Sequence, residues 1–259
     1  MRDFLNKILS EFKNCAFKAG NILLSEYKRD DLSFREKIKR DFVSETDLKV
    51  EEEVKKILEK KFKDIPFLGE EMGKEFIEEG FICDPLDGTR NFIQKIPIFS
   101  FSIAYVKKGE PLVSLIYVPF LKELFYAIKG GGAYLNDKAI RVSNKDSGFL
   151  IGTGFPFRKR GYWEIYYKKL KEVFENSDDL RRPGSASQDL AYVACGRYDG
   201  FFEFGLSPWD VIPGVLLVEE AGGKTSDMQG TRNHLISGNI IAGNPFAYNL
   251  LLKIFLNNN

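Results

Sequence analysis

The sequence predicts a mixed α/β protein made of two subdomains that pack as one unit, and two hydrophobic patterns support this fold class. Between residues 98 and 129, apolar residues alternate with smaller ones in runs separated by turn residues, which is typical of an antiparallel meander. Beyond residue 145, apolar runs of strand length alternate with stretches of helical periodicity, which favours an α/β arrangement. We therefore expect one domain over residues 1–259, with subdomains of about 1–145 and 146–259.

Two helices open the first subdomain, with a charged segment between them. Over residues 1–28, apolar residues recur every three or four positions and mark one face of an amphipathic helix. Residues 28–40 carry so many charges that we expect an exposed hairpin or loop there. The second helix begins at about Asp47, and the lysines between residues 55 and 63 are expected to form its solvated side.

Strands follow, and the first two are succeeded by acidic residues. Residues 67–69 and 81–83 are short apolar runs that predict buried strands. Two glutamates follow the first run, and Asp84 follows the second. The meander comes next, and the three glycines at 130–132 predict a tight connection after it.

The second subdomain alternates strands with helices. We expect strands at 149–153, 200–204 and 238–242, and helices at 161–176, 187–195, up to 221, and at 246–256. Asp210 then lies in the first turn of the helix that ends near residue 221, where the helix dipole favours an acid. Pro213 supports that placement, because proline is tolerated in a first helical turn.

Composition excludes several classes of function. With 38 Lys and Arg against 37 Asp and Glu, the net charge is +1, which argues against a protein that mainly coats nucleic acid. A single histidine, His234, argues against a histidine-rich zinc site and against a Ser–His–Asp triad. The three cysteines are far apart without C-x-x-C spacing, which indicates a reducing compartment.

The N-terminus and the hydropathy pattern bear on location. Charges recur too often near the N-terminus for the apolar core of a signal peptide, and no apolar run reaches the ~18 residues that a membrane span needs. We therefore expect a soluble, cytoplasmic protein with no membrane partner. Its catalysis, if any, would depend on carboxylates, hydroxyls and metals.

The segment DPLDGTRNF, residues 84–92, is the densest chemical signal in the chain. One interpretation is a strand end followed by a Pro-x-Asp-Gly turn, which is a common structure. The other is a metal and phosphate site, because Asp84 and Asp87 can face one point and Gly88 lets a ligand approach the backbone. Carboxylate oxygens suit Mg²⁺, Mn²⁺ or Ca²⁺, and a helix beginning after Gly88 would offer N–H groups to an anion.

Three further acidic positions each have a purely structural explanation. Glu70 and the glutamate after it fit a solvated surface pair. Asp47 fits a capping box with Ser44, and Asp210 fits a favourable charge in a first helical turn. Taken one at a time, these residues leave the structural and functional interpretations open.

Together the motifs resemble the inositol monophosphatase family, whose members are metal-dependent, lithium-sensitive phosphatases of sugars and inositols. DPLDGTRNF is similar to the family's first signature, and WDVIPGVLLVEEAGG at 209–223 is similar to its second. DFVSETD at 41–47, LGEE at 68–71 and GSAS at 184–187 stand in the family's order. The resemblance runs from about residue 41 to 245 and implies a layered αβαβα sandwich of the sugar-phosphatase type.

The resemblance implies a set of metal ligands. Glu70, Asp84 and the carbonyl of Leu86 would hold one Mg²⁺, and Asp84, Asp87 and Asp210 would hold a second. A third, weaker ion near Glu70 would bring the total to two or three. Mn²⁺ is expected to substitute for Mg²⁺, whereas Li⁺ and Ca²⁺ are expected to inhibit.

Catalytic and substrate-binding roles are implied in the same way. The catalytic set would be Asp47, Thr89 and Glu70, of which Thr89 and Asp47 would orient and deprotonate the attacking water. The amides of Gly88 and Thr89 would bind the phosphate. The full substrate-binding set would be Asp87, Gly88, Thr89, Gly184, Ser185, Ala186, Glu203 and Asp210.

The expected reaction is hydrolysis of a phosphate monoester by metal-activated water without a phosphoenzyme. We expect myo-inositol 1-phosphate as substrate, because Glu203 is placed to accept hydrogen bonds from polyol hydroxyls. Fructose 1,6-bisphosphate is the main alternative, favoured by the basic residues of 28–40, and histidinol phosphate, NADP and 3′-phosphoadenosine 5′-phosphate stay open. A homodimer is implied by the resemblance.

A different class of function is a regulatory protein acting through RNA or the transcription machinery, as in some bacterial relatives. Its support in this chain is the lysine-rich stretch at 55–63 and the basic run at 158–160.

Two departures from the family pattern are Arg90, where many relatives have threonine, and the pair Ile212 and Pro213 in place of small residues. Neither removes an expected ligand, so we expect an active enzyme.

Overall fold

A computed structural model describes residues 1–29, 31, 34–38, 41–71, 78–157 and 159–257. For residues 34–38 and 41–44 it describes the backbone. The charged segment over 28–40 is therefore described in part, and Arg158 of the basic run lies outside the described residues.

The described residues form eight α-helices and fourteen strands, of which six strands follow one another in the middle of the chain. The helices are α1 (Arg2–Tyr27), α2 (Glu45–Lys61), α3 (Thr89–Ile93), α4 (Trp163–Glu175), α5 (Ala186–Ala194), α6 (Pro208–Glu220), α7 (His234–Ser237) and α8 (Pro245–Leu256), with a 3₁₀ turn at Arg160–Tyr162. The strands are β1 (Phe34–Ile38), β2 (Asp41–Ser44), β3 (Phe67–Gly69), β4 (Glu79–Asp87), β5 (Ser100–Lys107), β6 (Glu110–Val118), β7 (Glu123–Ile128), β8 (Ala133–Leu135), β9 (Lys138–Ile140), β10 (Leu150–Thr153), β11 (Asp179–Arg181), β12 (Gly200–Glu203), β13 (Lys224–Ser226) and β14 (Ile240–Gly243).

The strands form two main sheets and one hairpin. The larger sheet has the order β3-β4-β5-β6-β7-β8-β9 and is antiparallel apart from the parallel pair β3 and β4. The smaller has the order β11-β10-β12-β14-β13 and mixes parallel with antiparallel pairs. Strands β1 and β2 pair antiparallel; the first lies in the segment 28–40, where a hairpin or loop was expected, and its partner lies beyond that segment.

Five layers result, and the predicted αβαβα sandwich is confirmed. Helices α1 and α2 cover one face of the seven-stranded sheet, and α5 and α6 pack between that sheet and the five-stranded one. Helices α4 and α8 cover the outer face of the five-stranded sheet. Because α6 is enclosed on both sides, its residues 211–218 are buried throughout, as expected for a helix that is apolar all round.

Strand β5 shows how the alternation of a strand places polar groups in this arrangement. Phe101 and Ile103 point towards α1 and α2, where they join an aromatic and aliphatic core. Ser100 and Ser102 point to the opposite face and hydrogen-bond with residues at the starts of α5 and α6. The smaller residues of the meander therefore face the middle helices, next to the predicted site.

The element ends differ from the sequence-based expectations in two respects. Helix α2 begins at Glu45, two residues earlier than expected, and β4 continues through Asp84 to Asp87 instead of ending before Asp84. Several short elements were not expected, namely β8, β9, β11, β13 and α7. Each has three or four residues, which is too short to show a hydrophobic period.

The subdomain boundary expected near residue 145 falls between β9, the last strand of one sheet, and β10, the first of the other in chain order. The division into subdomains stays a prediction.

Among the described residues, no helix combines the length and the apolar character that crossing a bilayer requires. The three cysteines are all free thiols.

Candidate active site

Three buried carboxylates from both halves of the chain meet at one point. Asp84, Asp87 and Asp210 each place a carboxylate oxygen within 4.8 Å of the others. Their exposed fractions are 1%, 9% and 3%, so water solvates them poorly. Within the described part of the chain, this is the one group of three or more metal-ligating side chains with such spacing.

A bulge in β4 brings the first two carboxylates together. In a regular strand, residues three apart point to opposite faces. Asp84 pairs with Ser102 and Asp87 with Ser100, so three steps along β4 match two along β5, and one extra residue is accommodated. Pro85, which has no N–H to donate to the sheet, lies within this bulge. Asp84 and Asp87 therefore lie on the same face of the sheet.

The third carboxylate comes from the first turn of α6. The Ser207 N–H donates to Asp210 Oδ2 over 2.9 Å, and the Ser207 side chain accepts from the Asp210 backbone, which completes a capping box. The predicted first-turn position of Asp210 is thus confirmed, but the argument from Pro213 is wrong. Pro208 occupies the first position of the helix, and Pro213 lies in its interior.

Burial of like charges has a strong effect on Asp84. Desolvation, followed by the negative charges of Glu70, Asp87 and Asp210, raises the pKa of Asp84 well above its ordinary value. The N–H of Leu86 donates to Asp84 Oδ1 over 2.9 Å and opposes that rise. A divalent cation would relieve this repulsion, and an all-oxygen donor set fits Mg²⁺ or Mn²⁺ by ligand hardness.

The segment after the two acids turns sharply into α3. Gly88 has φ +90°, and a Cβ there would lie 2.9 Å from the carbonyl oxygen of Ile98, so a side chain would be strained and crowded. Thr89 begins the helix, and its hydroxyl lies 2.9 Å from the Leu86 carbonyl oxygen and 3.2 Å from Asp47 Oδ1. The helix expected after Gly88 is confirmed, with five residues.

Two acidic residues of α2 share the inner face of that helix. Asp47 and Glu51 are 1% and 0% exposed, and the Glu51 carboxylate accepts the N–H of Glu71 over 2.9 Å. Sequence reasoning did not identify Glu51, although its spacing of four residues from Asp47 places it on the same face. Glu70, predicted as a ligand, is half-buried, and its N–H donates to the carbonyl of Cys83 in β4.

A cavity of about 370 Å³ opens beside the carboxylates. Of the residues expected to bind metal or substrate, those lining it are Asp87, Gly88, Thr89, Gly184, Ala186, Glu203 and Asp210. Asp47, Glu70, Asp84, Leu86 and Ser185 are not among its lining residues. Arg182, which sequence reasoning did not identify, adds a positive charge to the cavity, and its guanidinium carbon lies 5.2 Å from the ring centre of Phe155.

Glu203 and Asn91 also line this cavity. The Glu203 carboxylate rests against Gly154, where a Cβ would lie 2.1 Å from Glu203 Oε2, so a larger residue there would displace the carboxylate. Asn91 of α3 donates to the carbonyls of Ile98 and Pro183, at 2.8 and 3.0 Å. Asn91 therefore joins the helix of the first motif to the loop that precedes α5.

The hydroxyl of Ser185, a residue expected to bind substrate, is directed at Asp87. Ser185 Oγ donates to Asp87 Oδ2 over 2.7 Å, and the N–H and hydroxyl of Ser187 donate to the same oxygen. Ser100 contacts both of these serines. Sequence reasoning named neither Ser187 nor Ser100 as a site residue, although Ser187 ends the GSAS motif at 184–187.

Comparison with known proteins gives a consistent result. The family model described as the inositol monophosphatase family matches residues 5–258. A protein named Nus factor SuhB from Salmonella typhimurium is 40% identical over 96% of this chain and 95% of its own length. An inositol-1-monophosphatase from Mesorhizobium japonicum is 40% identical over 95% of both chains. The crystal structure of the extragenic suppressor protein suhB from Bartonella henselae superimposes with a TM-score of 0.92 at 36% identity, covering 98% of this chain and all of that one.

More distant structures share the fold and are described with ions. One, 23% identical with a TM-score of 0.85, is an IMPase/NADP phosphatase complexed with Mg²⁺ and phosphate and covers 99% of this chain and 97% of its own. Another, with the same identity and TM-score, is a staphylococcal inositol monophosphatase in a LiCl-soaked inhibitory complex and covers 98% and 96%. At this identity, the likeness establishes the fold alone.

Proposed function

Because this chain belongs to the inositol monophosphatase family, a family of phosphatases, we propose that it hydrolyses a phosphate monoester with Mg²⁺, and that myo-inositol 1-phosphate is its principal substrate. The observation that supports this most is the group of three buried carboxylates within 4.8 Å of one another beside a cavity of about 370 Å³. The cavity is of a size for a small polar ester, and the carboxylates need a cation.

Bound Mg²⁺ would acidify the attacking water and offset charge on the phosphoryl group. Asp84, Asp87 and Asp210 would hold it, and we keep Glu70 and the Leu86 carbonyl as further ligands for a total of two to three ions. Mn²⁺ would substitute, because it shares the preference for carboxylate oxygens, while Li⁺ and Ca²⁺ would inhibit.

The pair Thr89 and Asp47 is proposed to orient and deprotonate the attacking water. The Thr89 hydroxyl lies within hydrogen-bond distance of Asp47 Oδ1, so it can donate its proton there and accept a hydrogen bond from water with a lone pair. Asp47 is buried, and its carboxylate would be the final acceptor of the proton that the water passes to Thr89. The Leu86 carbonyl, 2.9 Å from the same hydroxyl, limits how Thr89 can turn.

The remaining cavity residues are proposed to bind the ester. The backbone N–H groups of Gly88 and Thr89 at the start of α3 would bind phosphate oxygens. Glu203 would accept hydrogen bonds from polyol hydroxyls, with Gly184 and Ala186 forming the adjacent wall. A polyol pairs its many hydroxyl donors with such a carboxylate, which is why we favour an inositol phosphate over an ester with an apolar leaving group.

The test is phosphate release with Mg²⁺ across a panel of esters. The panel contains myo-inositol 1-phosphate, fructose 1,6-bisphosphate, NADP, histidinol phosphate and 3′-phosphoadenosine 5′-phosphate, each with and without Li⁺. Asp87→Asn is expected to lower kcat by at least about 100-fold, because a charged group of the site is lost. Asp64→Asn, at an exposed position, serves as the matched control. Preference for another ester would overturn the substrate alone, whereas no Mg²⁺-dependent turnover of any ester would overturn the phosphatase proposal.

A second candidate function is favoured by the relative named Nus factor, which suggests association with transcription machinery or RNA. The lysine-rich face of α2 gives it little support, because Lys55, Lys56 and Lys61 form ion pairs with glutamates of this chain at 3.8, 2.8 and 3.7 Å. Salt-dependent retention on RNA at physiological ionic strength would support this role. Absence of retention in the presence and absence of Mg²⁺ would count against it.

Two expectations from the family resemblance remain proposals. We propose a homodimer, which light scattering coupled to size-exclusion chromatography measures directly through the molar mass. We also propose a cytoplasmic location, in accord with three thiols that are free in the structure.

A further inference from the structure

Three buried serines form a hydrogen-bonded group beside Asp87, each with a residue exposure of 1% or less. Ser185 Oγ and Ser187 Oγ donate to Asp87 Oδ2 over 2.7 and 2.5 Å, and the Ser187 N–H donates to it over 2.8 Å. Ser100 Oγ lies 3.0 Å from Ser185 Oγ and 2.9 Å from Ser187 Oγ. We call these three residues the serine cluster.

Proton counting shows how the serine cluster is organised. Each hydroxyl has one proton to donate. Ser185 and Ser187 commit theirs to the carboxylate of Asp87, which leaves Ser100 as donor to one of its two neighbours at a time. Ser100 therefore acts on Asp87 through Ser185 and Ser187, and its own hydroxyl does not contact the carboxylate.

The serine cluster joins parts of the chain that are far apart in sequence. Ser100 begins β5 and pairs with Asp87 in the sheet, whereas Ser185 and Ser187 lie at the start of α5. The same α5 start carries Gly184 and Ala186, which line the cavity. A change in the orientation of Asp87 must therefore disturb the wall of the cavity, and the reverse also holds.

We propose that the serine cluster is a positioning device that holds Asp87 in its ligand orientation and couples metal binding to the substrate wall at 184–186. This rests on the proposed function, since it assigns residues that support one of its metal ligands. Hydrogen bonds from neighbouring groups orient metal-binding carboxylates, and loss of such a partner typically lowers metal affinity about 10- to 100-fold.

Mn²⁺ binding tests the proposal without an activity assay. The amplitude of the free Mn²⁺ signal in electron paramagnetic resonance gives the dissociation constant of the whole protein. Ser187→Ala is expected to weaken Mn²⁺ binding about 10-fold, and Ser100→Ala by a smaller factor of about 3, because Ser100 acts indirectly. Ser100→Ala is also the milder variant should Ser187→Ala fold poorly.

Ser114→Ala is the matched control. Ser114 is a fully buried serine on the same sheet, and its hydroxyl has no hydrogen-bond partner among the described residues. The Mn²⁺ dissociation constant of Ser114→Ala should lie within about 2-fold of that of the parent protein, since no expected metal ligand depends on Ser114. In the two cluster variants, the KM for the ester should rise together with the Mn²⁺ dissociation constant, which a purely structural role would not produce at an unchanged Tm.

Asp87→Asn separates the two levels of the proposal. If Asp87→Asn weakens Mn²⁺ binding but Ser187→Ala and Ser100→Ala behave like Ser114→Ala, the positioning role is overturned and the metal site stands. If Asp87→Asn itself binds Mn²⁺ as the parent protein does, Asp87 is no ligand and the positioning role is overturned, while phosphate release from the ester panel still decides the proposed function.

Discussion

At the residue scale, a carboxylate stays in a protein interior only when hydrogen-bond donors or a cation compensate for lost water. Asp87 has donors from Ser185 and Ser187. Asp84 receives the N–H of Leu86, yet burial and then the charges of three other acids raise its pKa. Hydrogen-bond donors therefore compensate Asp87 more fully than Asp84. A bound cation is expected to stabilise the protein mainly through Asp84.

Replacing Asp84 is accordingly expected to stabilise the metal-free protein. Asp84→Asn removes one of several mutually repelling charges while keeping the size of the side chain, so the Tm in EDTA should rise by about 3 °C, equivalent to about 1 kcal/mol for a chain of this length. Mg²⁺ should then raise the Tm of the parent protein but not that of the variant. Scanning calorimetry measures both, and a lower Tm of Asp84→Asn in EDTA would contradict the repulsion argument.

His234 gives a prediction about acid stability. Burial lowers its pKa below 6.5, while the Thr231 carbonyl and the charges of Glu219 and Asp227 oppose that shift and Arg232 adds to it. The unfolded chain therefore binds the proton first, and stability is lost as the pH falls from about 6.5 through the lower pKa of the folded state. Between pH 7.5 and 5.5 the parent protein should lose about 1 kcal/mol more than His234→Asn in urea unfolding. Parallel loss in both proteins would exclude His234 as the cause.

At the element scale, α6 contains a proline where a helix does not normally accept one. Pro213 has no N–H for the carbonyl of Trp209, four residues earlier, and the hydroxyl of Ser102 donates to that carbonyl over 3.1 Å instead. Because Ser102 is the partner of Asp84 in the sheet, this contact also ties the strand that carries one carboxylate to the helix that carries Asp210.

A double-mutant cycle tests this replacement of a helix bond by a side-chain bond. Ser102→Ala should cost about 1–2 kcal/mol of unfolding free energy with Pro213 present, because the Trp209 carbonyl then lacks a donor. With Pro213→Ala the new N–H at 213 can reach that carbonyl, and the cost of Ser102→Ala should fall by about 1 kcal/mol. Additive effects in chemical denaturation would show that the serine and the proline are independent.

At the scale of the whole molecule, the middle helices belong to both sheets. The largest core cluster takes residues from the seven-stranded sheet, from α5 and α6, and from the five-stranded sheet. If the middle layer separated, the apolar face that each sheet turns towards α5 and α6 would become exposed. The two expected subdomains are therefore expected to unfold together, although their boundary is visible in the order of the strands.

Calorimetry should accordingly show one cooperative transition with equal calorimetric and van't Hoff enthalpies. Leu217→Ala, at a fully buried position of α6, should lower the stability of the whole molecule by about 2–5 kcal/mol and keep the single transition. Tyr167→Ala, exposed on α4, is the matched control and should have little effect. Two resolved transitions would contradict the shared core.

Local patterns were sufficient to predict much of this protein. The antiparallel meander, the alternation of the second half, the helix after Gly88 and the first-turn position of Asp210 are all confirmed. Each depends on a period of two or 3.6 residues or on the chemistry of a cap or turn, which a short stretch of chain contains in full. The motif at 84–92 and its resemblance to a phosphatase family are likewise contained in a short stretch of the chain.

Tertiary structure alone decided how the functional groups meet. The bulge that turns Asp84 and Asp87 to one face of the sheet exists because β5 pairs with β4 on both sides of Pro85. The residues 84–87 by themselves do not predict which strand they will pair with. Ser100 and Ser187 act on Asp87 from strand and helix positions 87 residues apart, and Pro213 is tolerated because Ser102 lies beside it. Hydrogen bonds and burial depend on which surfaces the fold brings within 3 Å, whereas a sequence pattern reports only what lies within a few residues along the chain.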